Sequence, residues 1–211
     1  MTTPNELDLK EYLESGKILS IVLAGVGGQG TLIAGKLLGI VAMKLGMDVK
    51  VSEVHGMSQR GGSVITYVRM GKEVFSPIID PGTADYCLVF ESLESIRWAS
   101  LLKTDGTMII SSQQIKPLPV LIGKEAYPKE ICGQLQKASI GHARIIEVDA
   151  VTAALSTGSA KAVNMVMLGA LSIFTNIPLQ VWEESIEEAF SSKPKLVPMN
   201  SKAFQLGRDL V

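Results

Sequence analysis

Apolar residues cluster along the chain into short segments whose spacing alternates between strand and helix. Ile18-Leu19-Ser20-Ile21-Val22-Leu23 is a nearly continuous apolar run, and residues 17–24 are predicted to form a strand buried on both faces. Leu32, Ile33, Leu37, Ile40, Val41 and Leu45 then recur at helical spacing, and Gly46 ends that helix. Residues 48–54 read as a second strand. Ser63-Val-Ile-Thr-Tyr-Val-Arg69 reads as a third, with Val74-Phe75 returning antiparallel after a turn at Met70–Glu73. Asp80-Pro81-Gly82-Thr83-Ala84-Asp85 has turn chemistry, residues 86–90 form an apolar strand, and Leu93–Leu102 a helix. Asp105-Gly106 is predicted to turn the chain into a strand at Thr107–Ser111. Residues 113–135 read as a loop carrying one short helix near Ala126–Leu135. The last strand is expected at Ala143–Val148. Helices then follow from Asp149, over Asn164–Phe174, over the amphipathic Ser185–Phe190 and over Ser201–Leu210.

Strands alternating with helices predict an α/β fold, a Rossmann-like three-layer sandwich with a mostly parallel sheet and helices on both faces. A polar lead-in occupies residues 1–16, and residues 17–211 make one domain, in keeping with a chain of 211 residues.

Two glycine clusters punctuate this pattern. Gly25-Val26-Gly27-Gly28-Gln29-Gly30 follows the first strand, and His55-Gly56-Met57-Ser58-Gln59-Arg60-Gly61-Gly62-Ser63 follows the second. Loops after two consecutive strands are expected side by side at the sheet edge where open α/β folds bind ligands. The first cluster matches the dinucleotide fingerprint, with Glu53 about 20 residues further on, where a ribose-binding acid belongs. The same glycines equally serve a tight strand-to-helix turn that binds no nucleotide. A side chain at Gly27 or Gly28 is expected to find no room. In the second cluster Arg60 offers a planar, always-charged donor for a carboxylate or phosphate, or a structural ion pair. His55 is of the residue type that changes charge nearest neutral pH; a base and a hydrogen-bonded structural histidine both fit it.

Composition narrows the choices. Net charge is −1, which leaves no nucleic-acid footprint. No apolar stretch reaches membrane-spanning length. Glu6, Asp8, Glu11 and Glu14 oppose a basic signal-peptide start, so a cytoplasmic location is expected. Residues of the apolar class make up 46% and charged ones 19%, and mean hydropathy is +0.28. Such a chain is expected to keep an apolar surface for a partner, or to self-associate when alone. Cys87 and Cys132 are too few for an iron–sulfur cluster, which takes about four thiolates, and no metal-ligand spacing is present. His142 sits in an ordinary turn, so no Ser/His/Asp constellation stands out.

Together these residues resemble the gamma-type domain of the 2-oxoacid:ferredoxin oxidoreductases, most closely its indolepyruvate ferredoxin oxidoreductase branch, beta subunit. The resemblance rests on Ala24-Gly-Val-Gly-Gly-Gln-Gly30, Glu53-Val-His-Gly-Met-Ser-Gln-Arg-Gly-Gly-Ser63, Asn164-Met-Val-Met-Leu-Gly-Ala170 and Asn200-x-x-Ala203-Phe204-x-x-Gly207. It implies a subunit that lacks redox centres of its own. Thiamine diphosphate and iron–sulfur clusters would sit on a larger alpha subunit, ferredoxin would take the electrons, and coenzyme A would take the acyl group. In agreement, the chain has no thiamine-binding Gly-Asp-Gly with a following Asn-Asn pair. The resemblance implies that Arg60 and His55 face the shared active site as catalytic candidates. Gly25, Gly27, Gly28, Gln29, Gly30, Ser58, Gln59, Gly61 and Gly62 would shape the adjoining cofactor site. The alternatives are a free-standing dinucleotide-binding module, a pyruvate- or 2-oxoglutarate-type gamma subunit, and a subunit whose loops only dock a partner.

Overall fold

In the computed structural model, which describes residues 15–56, 61–138 and 143–211, a single sheet organises the chain. Its strands are β1 (Leu19–Val26), β2 (Asp48–His55), β3 (Ser63–Gly71), β4 (Ala84–Val89), β5 (Leu102–Ser111) and β6 (Arg144–Val148). The helices are α1 (Thr31–Lys44), α2 (Ser92–Trp98), α3 (Leu118–Leu121), α4 (Ile131–Ala138), α5 (Ala150–Ser156), α6 (Val163–Ser172), α7 (Leu179–Ala189) and α8 (Val197–Arg208).

The strand order is β2-β3-β1-β4-β5-β6. β1, β4, β5 and β6 pair in parallel, while β3 runs antiparallel to both β1 and β2. β3 alone opposes the common direction, so the sheet is mostly parallel, as the alternation of strands and helices predicts. The two glycine loops, however, do not follow neighbouring strands, because β3 turns back and inserts itself between β1 and β2.

Alternation along the central strands builds a core on each face. Leu19, Ile21 and Leu23 of β1, with Tyr86, Leu88 and Phe90 around β4, pack under α1, α5, α6, α7 and α8. Val22, Ala24, Cys87 and Val89 point the other way, toward the end of α2, Leu135 of α4 and Ile79. β1 and β4 are buried along their whole length, which explains their near-continuous apolar sequence. α6 is likewise buried on every side.

The packing of α6 against α8 explains two of the sequence motifs. A Cβ on Gly169 would lie 1.9 Å from the carbonyl oxygen of Phe204, and one on Gly207 would lie 1.9 Å from that of Val166. Each helix thus lets the other's backbone come into contact, and Trp182 closes the layer against Phe204 with ring centroids 5.4 Å apart.

Several expectations are corrected. Val74-Phe75 forms no strand; the segment after β3 is irregular and is held by Arg69, whose Nη1 donates to the carbonyls of Ser76 and Ile78. Asp105-Gly106 is not a turn before a strand but lies inside β5, where the register against β4 shifts between Ala84 and Tyr86. The helix from Leu93 stops at Trp98 and tightens into a 3-10 turn at Ala99–Leu101. The short helix expected near Ala126–Leu135 lies at 131–138, with a further turn of helix at 118–121. Asp149 does open a helix: its Oδ1 accepts from Thr152 N at 3.1 Å. The polar lead-in lies outside the described residues as far as residue 14, as does His142.

Candidate functional site

The sheet's topology reverses between β1 and β4: the chain runs from β1 to one flank of the sheet and from β4 to the other. The carboxyl ends of these strands therefore diverge, and the crevice between them is where open α/β sheets take ligands. Here Gln29 fills it. Its Oε1 accepts from Val26 N at 2.7 Å, and its Nε2 donates to the Phe90 carbonyl at 2.7 Å and to Gln113 Oε1 at 2.8 Å. Gly25 is what lets the side chain fold inward, since a Cβ there would stand 2.7 Å from Gln29 Oε1.

With the crevice closed, the open concavity lies on the α1 side. Gly27, Gly28, Gly30, the first turn of α1, Glu53, His55 and Val64 line a cavity of about 480 Å³. α1 begins there without a capping side chain and without an acid in its first turn, so its free N–H groups leave a partial positive charge at the wall. Gly30 adopts φ +83, and a Cβ would meet Asn164 Nδ2 at 2.8 Å. Gly28 adopts φ +105 with open space around it. The constraint at Gly28 is therefore backbone conformation and not room, which corrects the crowding expected there.

Across the cavity, Glu53 is held 3.2 Å from the Thr66 hydroxyl and 3.4 Å from that of Thr31. A ribose-binding acid stands on the strand next to β1. Glu53 stands two strand spacings away, about 10 Å, because β3 intervenes. His55 ends β2 with its ring exposed and its Nδ1 3.3 Å from the Gly56 carbonyl.

The second glycine loop is tied down at its far end. Gly27 N donates to Gly62 O at 3.0 Å, so the two loops are joined directly. Ser63 donates to Glu94, a buried carboxylate that also accepts from Arg97 Nε at 3.2 Å and Trp98 Nε1 at 3.0 Å. Gly61 is exposed with φ +73. Ser58, Gln59 and Arg60 lie outside the described residues.

Sequence reasoning missed the layer beneath. Glu91, 1% exposed, caps α2 by accepting from Leu93 N and Glu94 N, and its other oxygen accepts from Ile115 N and the Tyr127 hydroxyl. Burial and Glu91's charge push the Tyr127 phenol well above its ordinary value. The available signal was the acid directly between an apolar strand and a helical pattern, an N-cap position. Among the described residues no group of three or more His, Cys, Asp or Glu can hold a metal, and no helix is long and apolar enough to cross a membrane.

Comparison with known proteins places this geometry. The model of the pyruvate ferredoxin/flavodoxin oxidoreductase family matches residues 20–210. The indolepyruvate oxidoreductase subunit IorB of Pyrococcus horikoshii is 40% identical over 203 residues, covering 94% of this chain and 95% of that one. IorB of Archaeoglobus fulgidus is 38% identical, with 90% and 93% covered. Among solved structures, the pyruvate oxidoreductase subunit PORC of Thermotoga maritima superposes with a TM-score of 0.69 at 23% identity, over 92% of this chain and 96% of that one. The 2-oxoglutarate:ferredoxin oxidoreductase of Magnetococcus marinus, solved with 2-oxoglutarate, coenzyme A and succinyl-CoA bound, gives 0.69 at 21% identity, over 92% of this chain and 31% of that longer one. By the family model and by identity over nearly its whole length, the chain belongs to the pyruvate ferredoxin/flavodoxin oxidoreductase family.

Proposed function

We propose that the chain, as one gamma-type unit over residues 17–211, is the small subunit of an indolepyruvate or related aryl-2-oxoacid:ferredoxin oxidoreductase. The observation that carries this reading is the identity of 38–40% over at least 90% of the chain to subunits called IorB. The geometry supports it. Gln29 seals the crevice a dinucleotide would enter, and Glu53 stands one strand too far out for a ribose, which disfavours the free-standing dinucleotide module.

In this reading the joined glycine loops wall the coenzyme A side of an active site whose thiamine diphosphate and iron–sulfur clusters belong to a larger alpha subunit, with ferredoxin as the acceptor. Thiamine supplies the decarboxylation chemistry and the clusters carry the electrons. This chain's own part is to bind and orient. The N–H groups of α1 and the guanidinium of Arg60 would receive an anionic group. Leu32, Ile33 and Val54, exposed beside the cavity, would be covered by the partner and keep water from the site. Cys87 in β4 and Cys132 in α4 are both buried and on separate elements, an unsuitable donor set for a cluster.

The test is co-expression with a large thiamine- and iron–sulfur-containing subunit, followed by copurification and assay. The expected result is a stable complex that reduces ferredoxin with an aryl 2-oxoacid and coenzyme A, faster than with pyruvate or 2-oxoglutarate, while neither chain turns over alone. Full activity of the large subunit without this chain would refute the role.

A further inference from the structure

The cavity lined by the glycine loops has a support on the other face of the sheet, which the function proposed above does not use. Ser63 is the first residue of β3 and follows directly on Gly61-Gly62. It pairs with Val26, and Gly27 N donates to Gly62 O at 3.0 Å, so the ladder between β1 and β3 runs one residue into both loops. Side chains alternate along a strand. Val64 lines the cavity beside Gly27 and Gly28, on the α1 side. Ser63 points the other way, toward α2, and donates to Glu94 there. A hold on Ser63 from beneath is therefore a hold on Val64 and Gly62 and, through Gly62, on Gly27.

α2 does not need Glu94 as a cap. Glu91 already caps it, accepting from Leu93 N and Glu94 N. Glu94 is 4% exposed and gathers its own donors: Ser63 Oγ and Trp98 Nε1, the latter at 3.0 Å, share its Oε2, and Arg97 Nε reaches its Oε1 at 3.2 Å. A carboxylate taken out of water costs free energy unless it is hydrogen-bonded and paired. Arg97 and Trp98 belong to α2 itself, so of these donors Ser63 is the one that ties the buried charge to another part of the chain.

We infer that Glu94 is a positioning residue: through Ser63 it fixes the junction of the two glycine loops, and with it the cavity wall from Gly27 to Val64. Its effect on the assembled enzyme rests on the subunit role proposed above, whereas the junction itself belongs to this chain alone. Glu94 touches nothing in the cavity. It acts on binding through the wall and leaves the chemistry of the partner unchanged.

The experiment has two arms. In the full chain alone, amide hydrogen exchange is followed in the wild type, Ser63→Ala, Glu94→Gln and the double variant. Ser63→Ala should speed exchange at the Gly27 amide roughly tenfold to a hundredfold, the loss of one hydrogen bond to a charged group, with the amides of Val68 and Met70 unchanged. Glu94→Gln should act in the same direction. In the double variant the two effects should not multiply, because both act on the same bond. Lys103→Ala, which breaks a 2.8 Å ion pair with Asp85 elsewhere on the sheet, should lower the melting temperature without speeding Gly27. In the complex with the large subunit, Ser63→Ala should raise KM for coenzyme A or for the 2-oxoacid about tenfold with kcat within about twofold, whereas a merely structural loss lowers kcat alone by reducing the active fraction. Gly27 exchange unchanged in Ser63→Ala, effects that multiply in the double variant, or an active complex with both KM values unchanged would overturn the proposal. A wild-type chain that forms no active complex would instead refute the subunit role, and the exchange arm would still decide the junction.

Discussion

At the scale of single residues, the first glycine loop is three different constraints written with one letter. Gly25 makes room for Gln29, Gly28 supplies a positive φ in open space, and Gly30 does both against Asn164. Gly28→Ala should therefore cost only the conformational penalty, about 1 kcal/mol, and Gly30→Ala clearly more; melting curves of the two variants check the order. Arg60→Ala should leave the melting temperature within about a degree, since an arginine flanked by glycines in the sequence is expected to contribute little to stability. In a reconstituted complex it should lower kcat/KM for coenzyme A or 2-oxoacid by about tenfold to a hundredfold, with partial rescue by Lys, which lacks the bidentate fork. Unchanged kinetics would leave the loop a docking element. The loop spacing announced the turn, but not that Gln29 points inward, because an amide has partners enough to face either way.

At the scale of elements, α6 and α8 cross with their backbones in contact. A methyl at Gly169 or Gly207 cannot be absorbed by a rotamer change, since it meets main-chain oxygen at 1.9 Å. Either Gly→Ala variant should lose about 3 kcal/mol or more or fail to accumulate folded; a native-like denaturation midpoint would contradict this. The element order and nearly every strand were legible because buried strands and amphipathic helices carry clear periods. The return of β3 between β1 and β2 was not, since periodicity reports which face is buried and not which strand is the neighbour. The same limit hid the bulge at Asp105-Gly106, where turn residues serve an irregular strand. Arg60, Ser58 and Gln59 were legible only as chemistry on a loop. Glu91 carried a local N-cap signal, but its burial and that of Glu94 stayed hidden, because Ile115 and Tyr127 reach Glu91, and Ser63 reaches Glu94, from distant segments.

At the scale of the whole molecule, the core fixes an alkaline limit to stability. Burial, with a smaller contribution from the charge of Asp85, pushes the Tyr86 phenol up to about 12, and burial raises the Cys87 thiol further above its ordinary value. Both groups are neutral in the fold and ionise more easily when unfolded. Their stabilisation is complete below about pH 8, under both unfolded values, and is lost as pH climbs through 12, with Tyr86 alone worth about 2–3 kcal/mol. Melting temperature measured from pH 8 to pH 12 should fall, and Tyr86→Phe should flatten the decline above pH 10. The surface carries its own signal: Leu118, Leu121 and Ile122 are exposed around α3. Sedimentation should show concentration-dependent self-association of the isolated chain, reduced by Leu118→Ser with Leu121→Ser at equal melting temperature.

The α6–α8 crossing also sets a schedule for synthesis. Trp182 faces Phe204, Ser172 accepts from Arg208 at 2.7 Å, and Gly169 awaits the backbone at Phe204. A ribosome that has translated every strand still holds back the helix that covers α6. Until residues 197–208 clear the exit tunnel, the side of α6 that α8 covers stays bare and the nascent chain is a client for chaperones. Chains stalled before residue 197 should be cut readily by protease, and those released beyond residue 208 should resist.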